Sequence, residues 1–380
     1  MKNKGQVEVQ FNWIFILIVG AIILSFFVVI AMRQKQASEA SINVGFFISF
    51  EKALSGISAA QGKTLLFEVP SMELNYECTQ GCDCAAFAGT SRARASASFN
   101  MKDKIIFSPN KLRGNNLLTM SKDWSYPFRI TNFLFITSPE VKYLIEDTKQ
   151  GEALYDSLPL TSMMVGQVEQ RAFDKQLFKK GEAILSISGN YKVKFVFLEE
   201  NPEDFPMPSE LMNLPDKDVT AIKIVSSAGN ADSVIFYQKQ KDLPTKSSFK
   251  EVGRSYLFGE ASLFGAIFSE DLNSYACMMN RAFKKYEMIS MVYSAKQQAL
   301  TDEINKITEL NKLVNKDNPL KNCLINYERT YFDFIVNSAQ IFDFKDQLIG
   351  NQVPSNVVKN TKSISSQNDN AIKGSCPQIY

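Results

Sequence analysis

The chain has 380 residues, with Lys+Arg 42 against Asp+Glu 40 and no histidine. A formal charge of +2 gives none of the basic footprint that nucleic-acid binders carry, so no nucleic-acid partner is expected. The missing histidine excludes Ser-His-Asp and Cys-His machinery, imidazole acid/base chemistry and histidine-ligated metals; only carboxylates, Lys, Tyr and Cys remain for any catalysis.

A polar collar (1–12) runs into WIFILIVGAIILSFFVVIAM (13–32), twenty residues without a charge. At about 1.5 Å per residue this run spans a hydrocarbon core of about 30 Å, whereas a cleavable secretory signal has an apolar region of about 7–15 residues. It is therefore read as a membrane-spanning helix whose partner is the lipid bilayer. Lys2 and Lys4 on one side nearly balance Arg33 and Lys35 on the other, with a lean to the N-terminus inside.

Lys4-Gly5-Gln6-Val7 ahead of a long apolar helix resembles the class III signal of archaeal type IV pilin-like proteins. The resemblance covers about the first 30 residues and implies a peptidase cut between Gly5 and Gln6, leaving the helix on the mature protein. The glutamate usual at the fifth mature position is Gln10 here, and a carboxylate stands at Glu8 instead. A neutral Gln10 cannot supply the ion pair to a neighbour's amino terminus that filament assembly uses. The wider chain also resembles uncharacterised single-pass membrane proteins of archaea, which implies no particular function.

Residues 33–62 keep a helical spacing, with Ile42, Phe46, Ile48, Phe50, Leu54 and Ile57 as the apolar set and Gly62 as the stop. Residues 63–183 read as a β-rich domain with a helical end at 148–183: TLLFEV, MELNYE, KIIFSP, PFRITNFLFITS and VKYLIE are short runs punctuated by Pro and Gly. Residues 184–257 read as a small α/β layer built on YKVKFVFL, VTAIKIVSS and SVIFYQK. In 258–350, Leu272, Tyr275, Met279, Phe283, Tyr286, Ile289 and Tyr293 form a helical stripe that Leu300, Ile304, Ile307 and Val314 continue. Asn318-Pro319 then breaks the pattern before a second helix, giving a long helical hairpin. Residues 351–380, rich in Ser, Asn and Lys, read as a mobile tail. The fold class is thus α+β.

Six cysteines, Cys78, Cys82, Cys84, Cys277, Cys323 and Cys376, are candidates for disulfides, since an anchor allows an oxidising side. C-x3-C-x-C is not a zinc or iron–sulfur spacing. Cys82 and Cys84 are too close to bridge each other, so one of them pairs with Cys78 and the other reaches further. For straight antiparallel helices Cys376 suits Cys277, while a kink near Gln298 would favour Cys323 instead.

EENPED places Glu199, Glu200, Glu203 and Asp204 after a strand end, as oxygen ligands for Ca²⁺ or Mg²⁺ or as a solvated loop. Trp124, Tyr126 and Phe128 form either an exposed aromatic platform or a turn closing the core, and Arg92 and Arg94 a solvated face. No phosphate-binding glycine motif occurs and no cofactor is called for. The expectation is a membrane-anchored envelope protein with a structural or binding role, partnering other envelope proteins or itself through the hairpin. The alternatives are an anchored enzyme or regulator with a carboxylate-bound metal, and a minor pilin-like subunit. A deep polar pocket at the ends of strands 191–198 and 219–227 would favour the enzyme; filled strand ends favour the binding or structural role.

Overall fold

The structure, a computed structural model, describes residues 5–70, 73–79, 81–88, 97–101, 103–180, 189, 191–226, 232–240, 249–313, 321–343, 348–349 and 355–380. Arg92 and Arg94 lie outside them.

Helix α1 (Gly5–Ala59) is 55 residues without a break, and it is the one helix among the described residues long and apolar enough to cross a membrane. Over its apolar segment Leu17, Phe26 and Phe27 stand bare. Further on, Phe46, Phe47, Phe50, Leu54 and Ile57 are buried, because steps of three and four residues put 46, 50, 54 and 57 on one face. Ile42 and Ile48, expected in that stripe, are exposed: Ile48 falls off the line, and Ile42 precedes the point where the helix meets the body. The helix ends before Gly62, whose φ of +64° is open to glycine without strain.

Among the described residues eight strands follow: β1 (Thr64–Glu68), β2 (Leu74–Cys78), β3 (Cys84–Ala88), β4 (Ala97–Asn100), β5 (Ile106–Phe107), β6 (Lys111–Leu112), β7 (Asn116–Ser125) and β8 (Arg129–Thr137). They form two four-stranded sheets, β1-β7-β8-β5 and β4-β3-β2-β6. The first is covered on both faces, as the two-residue period of a strand requires of a buried sheet. On one face Phe46 and Phe50 of α1 meet Phe67, and Asn132 donates to the Ser58 carbonyl. On the other, Phe135 meets Phe264 and Phe268 of α3 (Glu260–Phe268), and Trp124 meets Phe283 of α4 (Leu272–Leu313).

These contacts also orient the sheet. Phe67 meets the part of α1 nearer the apolar segment, whereas Ser121 and Asn132 bond its carboxyl end at Ala60 and Ser58. The Glu68–Asn116 end of the sheet therefore faces the apolar segment. Helix α4 crosses from Phe107 (at Tyr275) to Phe128 (at Tyr286 and Tyr293), so it runs toward the far end.

The third sheet has the order β12-β9-β13-β14-β15-β16. Its strands are β9 (Val141–Glu146), β12 (Asp174–Phe178), β13 (Lys192–Phe197), β14 (Val219–Val225), β15 (Ser233–Lys239) and β16 (Phe249–Tyr256); the first four are parallel, the last two antiparallel. Among the described residues of 148–183 the helical reading holds only for α2 (Lys149–Ser157), which Thr148 caps by accepting from the Gly151 amide. The next residues form a hairpin, β10 (Ser162–Val165) with β11 (Val168–Arg171), turning at Gly166 with φ +64°. Its Met, Glu and Gln are good helix formers, and the turn and pairing override them.

Two more helices complete the chain, α5 (Lys321–Asp343) and α6 (Ser355–Lys373). Gln297 donates to the Tyr327 carbonyl and Ile304 packs with Cys323, so α4 and α5 lie side by side in opposite senses. Asn337 donates to Ser363 and Asn360 to Gln340, which does the same for α5 and α6. The expected tail is thus a packed helix. Its apolar residues Val357, Ile364 and Ala371 recur only every seventh residue and are buried beside Asn360 and Gln367, a seam too narrow to outweigh a polar composition.

Candidate functional site

The six cysteines form three pairs: Cys78–Cys84, Cys82–Cys277 and Cys323–Cys376. The first closes the β2–β3 hairpin, where the two residues sit opposite in register. The second joins residues 195 apart and fixes the hairpin turn to α4, where Arg281 also donates to the carbonyls of Cys82 and Met101. The expected partnership of Cys277 with Cys376 is not formed. Cys323 lies beside Ile304, roughly 40 Å along α4 from Cys277 at about 1.5 Å per residue, and Cys376 joins it there.

Glu199, Glu200, Glu203 and Asp204 do not converge on a common point. Glu200 pairs with Lys180 at 3.3 Å, Asp204 accepts from Asn201, and Glu203 is exposed. Among the described residues no group of three or more acidic or cysteine side chains is arranged to hold a metal ion. The carboxyl end of β13, where open α/β sheets receive anionic ligands, is filled from within. The buried Glu146 carboxylate accepts the amides of Leu198, Glu199 and Glu200 at 2.6, 2.9 and 3.0 Å. Gly151 leaves that corner no spare room, since a Cβ there would lie 1.8 Å from the Glu146 carbonyl oxygen.

The opposite, amino ends of β13 and β14 border an open cleft of about 560 Å³. Lys192 opens β13, Asp218 and Thr220 lie at the start of β14, and Glu270 and Asp271 come from the loop joining α3 to α4. Phe236, Val252 and Leu272 supply an apolar wall, and Glu73 with Lys111 forms the rim. The buried Lys192 ammonium sits between Asp218 at 2.9 Å and Glu270 at 2.8 Å. Desolvating three charges is costly and is offset here because each meets an opposite charge at contact distance. Asp271 caps α4 by accepting the Ser274 amide at 2.8 Å, and its second oxygen takes Asn110 at 3.0 Å. Glu270 also accepts the Asn110 amide at 3.2 Å.

Behind this row Lys194 is fully buried, its ammonium donating to the Ser269 and Glu270 carbonyls at 2.9 and 3.4 Å. Burial pulls its pKa down to about 8, with Glu270 and Asp271 opposing the shift and Lys192 adding to it. The cleft therefore presents paired charges, Lys192 with Asp218 and Glu270 and Lys111 with Glu73, beside apolar surface. Such a lining can orient a small polar molecule; it contains no nucleophile poised against a base.

Trp124 and Phe128 are buried: the indole donates to the Phe258 carbonyl at 2.8 Å and Phe128 stacks on Tyr286 at 5.3 Å. The aromatic turn closes the core and offers no platform.

Sequence reasoning named the ends of strands 191–198 and 219–227 as the place where a polar pocket would favour an anchored enzyme or regulator, but none of the residues that line this cleft. Its residues come from seven separated segments, and the only local signal is Ser269-Glu270-Asp271 ahead of a long helix, which reads as an N-cap. Comparison with protein-family models, with curated proteins and with solved structures finds no match.

Proposed function

We propose that this chain is a single-pass membrane protein of the cell envelope, N-terminus inside and body outside the cytoplasm, with a structural or binding role. The observation that carries the reading is the set of three cystine pairs, one linking residues 195 apart, in a body borne on a bare apolar helix. Such pairs persist on the oxidising side of a membrane. The binding role belongs to the cleft at the amino ends of β13 and β14, and the partner surface to the helical hairpin that α6 extends. Protease added to right-side-out vesicles should degrade the body and leave a short apolar fragment. A body protected until the vesicles are opened overturns the topology.

A pilin-like subunit is the second reading. It is favoured by α1 continuing without a break past its apolar segment to pack on a β-sheet face, the outline that the N-terminal resemblance implies. It requires processing between Gly5 and Gln6. Intact mass of the chain purified from its native membrane decides: a mature N-terminus at Gln6 supports it, and a retained Gly5 removes it.

A further inference from the structure

Three acceptor groups in the cleft at the amino ends of β13 and β14 have bonds to spare. Lys192 takes one oxygen of Asp218 at 2.9 Å and one of Glu270 at 2.8 Å. The second oxygen of each carboxylate meets no partner among the described residues and stays open to the cleft. Because both carboxylates hold the same nitrogen, one small group can reach the two of them. Asp271 differs, since Ser274 and Asn110 occupy both of its oxygens.

The third group is Thr220, two residues on from Asp218. Ile222 and Ile224 join the main core while Val219 and Ala221 join the second. Strand alternation therefore puts Thr220 on the face of Ile222, where Phe236 and Leu272 also line the cleft. Thr220 is only 8% exposed, yet its hydroxyl opens on the cleft and finds no partner among the described residues. Lys194, opposite it in register, is turned instead to the Ser269 and Glu270 carbonyls. A position that only had to fill space would be apolar, as Ile222 and Ile224 are; a hydroxyl there has to meet water or a ligand.

Charge narrows the ligand. Asp218, Glu270 and Asp271 carry three negative charges against the two positive ones of Lys192 and Lys194. Lys111 is matched by Glu73, and the exposed Lys217 is screened by water. One negative charge is left over beside three acceptors. A primary ammonium supplies one positive charge and three N–H donors, with nothing to accept.

We propose that the cleft holds a primary ammonium group on a short aliphatic body. Its N–H bonds donate to the open oxygens of Asp218 and Glu270 and to the Thr220 hydroxyl, and its body lies on Phe236, Val252 and Leu272. The proposal rests on the reading of this cleft as the binding site, and the experiment separates the two. The Val252 and Leu272 methyl groups are followed by NMR in the isotope-labelled full chain in detergent micelles. n-Butylammonium, tetramethylammonium, butyrate or methyl glucoside is added at constant ionic strength. n-Butylammonium should move both signals to saturation; tetramethylammonium, of the same charge without N–H bonds, should not. Thr220→Val keeps the size and every charge, and should weaken the midpoint about tenfold. Asp218→Asn, which leaves Lys192 paired with Glu270, should weaken it further. An equal response to tetramethylammonium, or an unchanged midpoint in Thr220→Val, overturns the assignment. Saturation by butyrate or methyl glucoside alone overturns it too, and leaves the cleft a binding site for another class of ligand. No response to any of the four removes the binding role of the cleft itself.

Discussion

Lys194 is a cation buried in the body. Its pKa is lowered from 10.5 to about 8 by burial, so between these values the unfolded chain binds more protons than the folded one. Stability then rises with pH across that window, and the contribution is at its least favourable below pH 8. Lys194→Met should raise the unfolding midpoint most at pH 7 and progressively less by pH 9.5; a constant difference across that range contradicts the assignment. Glu146 makes the opposite case. Glu146→Ala strands three amides at the end of β13 and should cost about 2–4 kcal/mol, read as a lower midpoint in non-reducing thermal unfolding. Glu146→Gln, which keeps one acceptor oxygen, should cost less. Both residues were invisible beforehand, because VKYLIE and YKVKFVFL read as strands whatever their charged members touch.

Among the elements, the last helix is the one that the pairing of Cys323 with Cys376 serves. That bond closes the end of α5 and α6 remote from the sheet, where Ile304, Tyr327, Ala371 and Ile379 supply a small core of their own. Tyr380 then turns back to meet Phe128, Tyr293 and Phe334, with its hydroxyl donating to the Ile364 carbonyl. Cys376→Ser with Cys323→Ser should therefore speed amide exchange in α6 and the outer turns of α5 while the three sheets keep their protection. Uniform loosening would mean the bundle is not a separate cooperative unit. Legibility followed periodicity here. The run from 13 to 32 and the stripe from Leu272 to Tyr293 announce themselves because every turn carries an apolar residue. The α6 seam has one apolar residue in seven, and the β10–β11 hairpin is composed of helix formers, so neither does. The strand ends that border the cleft were legible, but its lining was not, because it joins Glu73, Asn110, Lys192, Asp218 and Glu270, whose proximity exists only once the sheets are stacked.

At the scale of the whole molecule, one unbroken helix carries an apolar run at one end and a sheet at the other, and the Cys82–Cys277 cystine locks the β2–β3 hairpin of the neighbouring sheet to α4. The order of contacts along α1 and α4 places the far end of α4, with α5 and α6 beside it, away from the apolar run. Under the proposed function, this layout holds the body off a membrane on its oxidising side. The most direct test is labelling of intact cells with a membrane-impermeant maleimide, with and without prior reduction, followed by the mass of the chain. The account predicts no labelling before reduction and up to six labels after it. Labelling that needs lysis but no reductant would mean an inverted chain with free thiols, and would contradict the account at its centre.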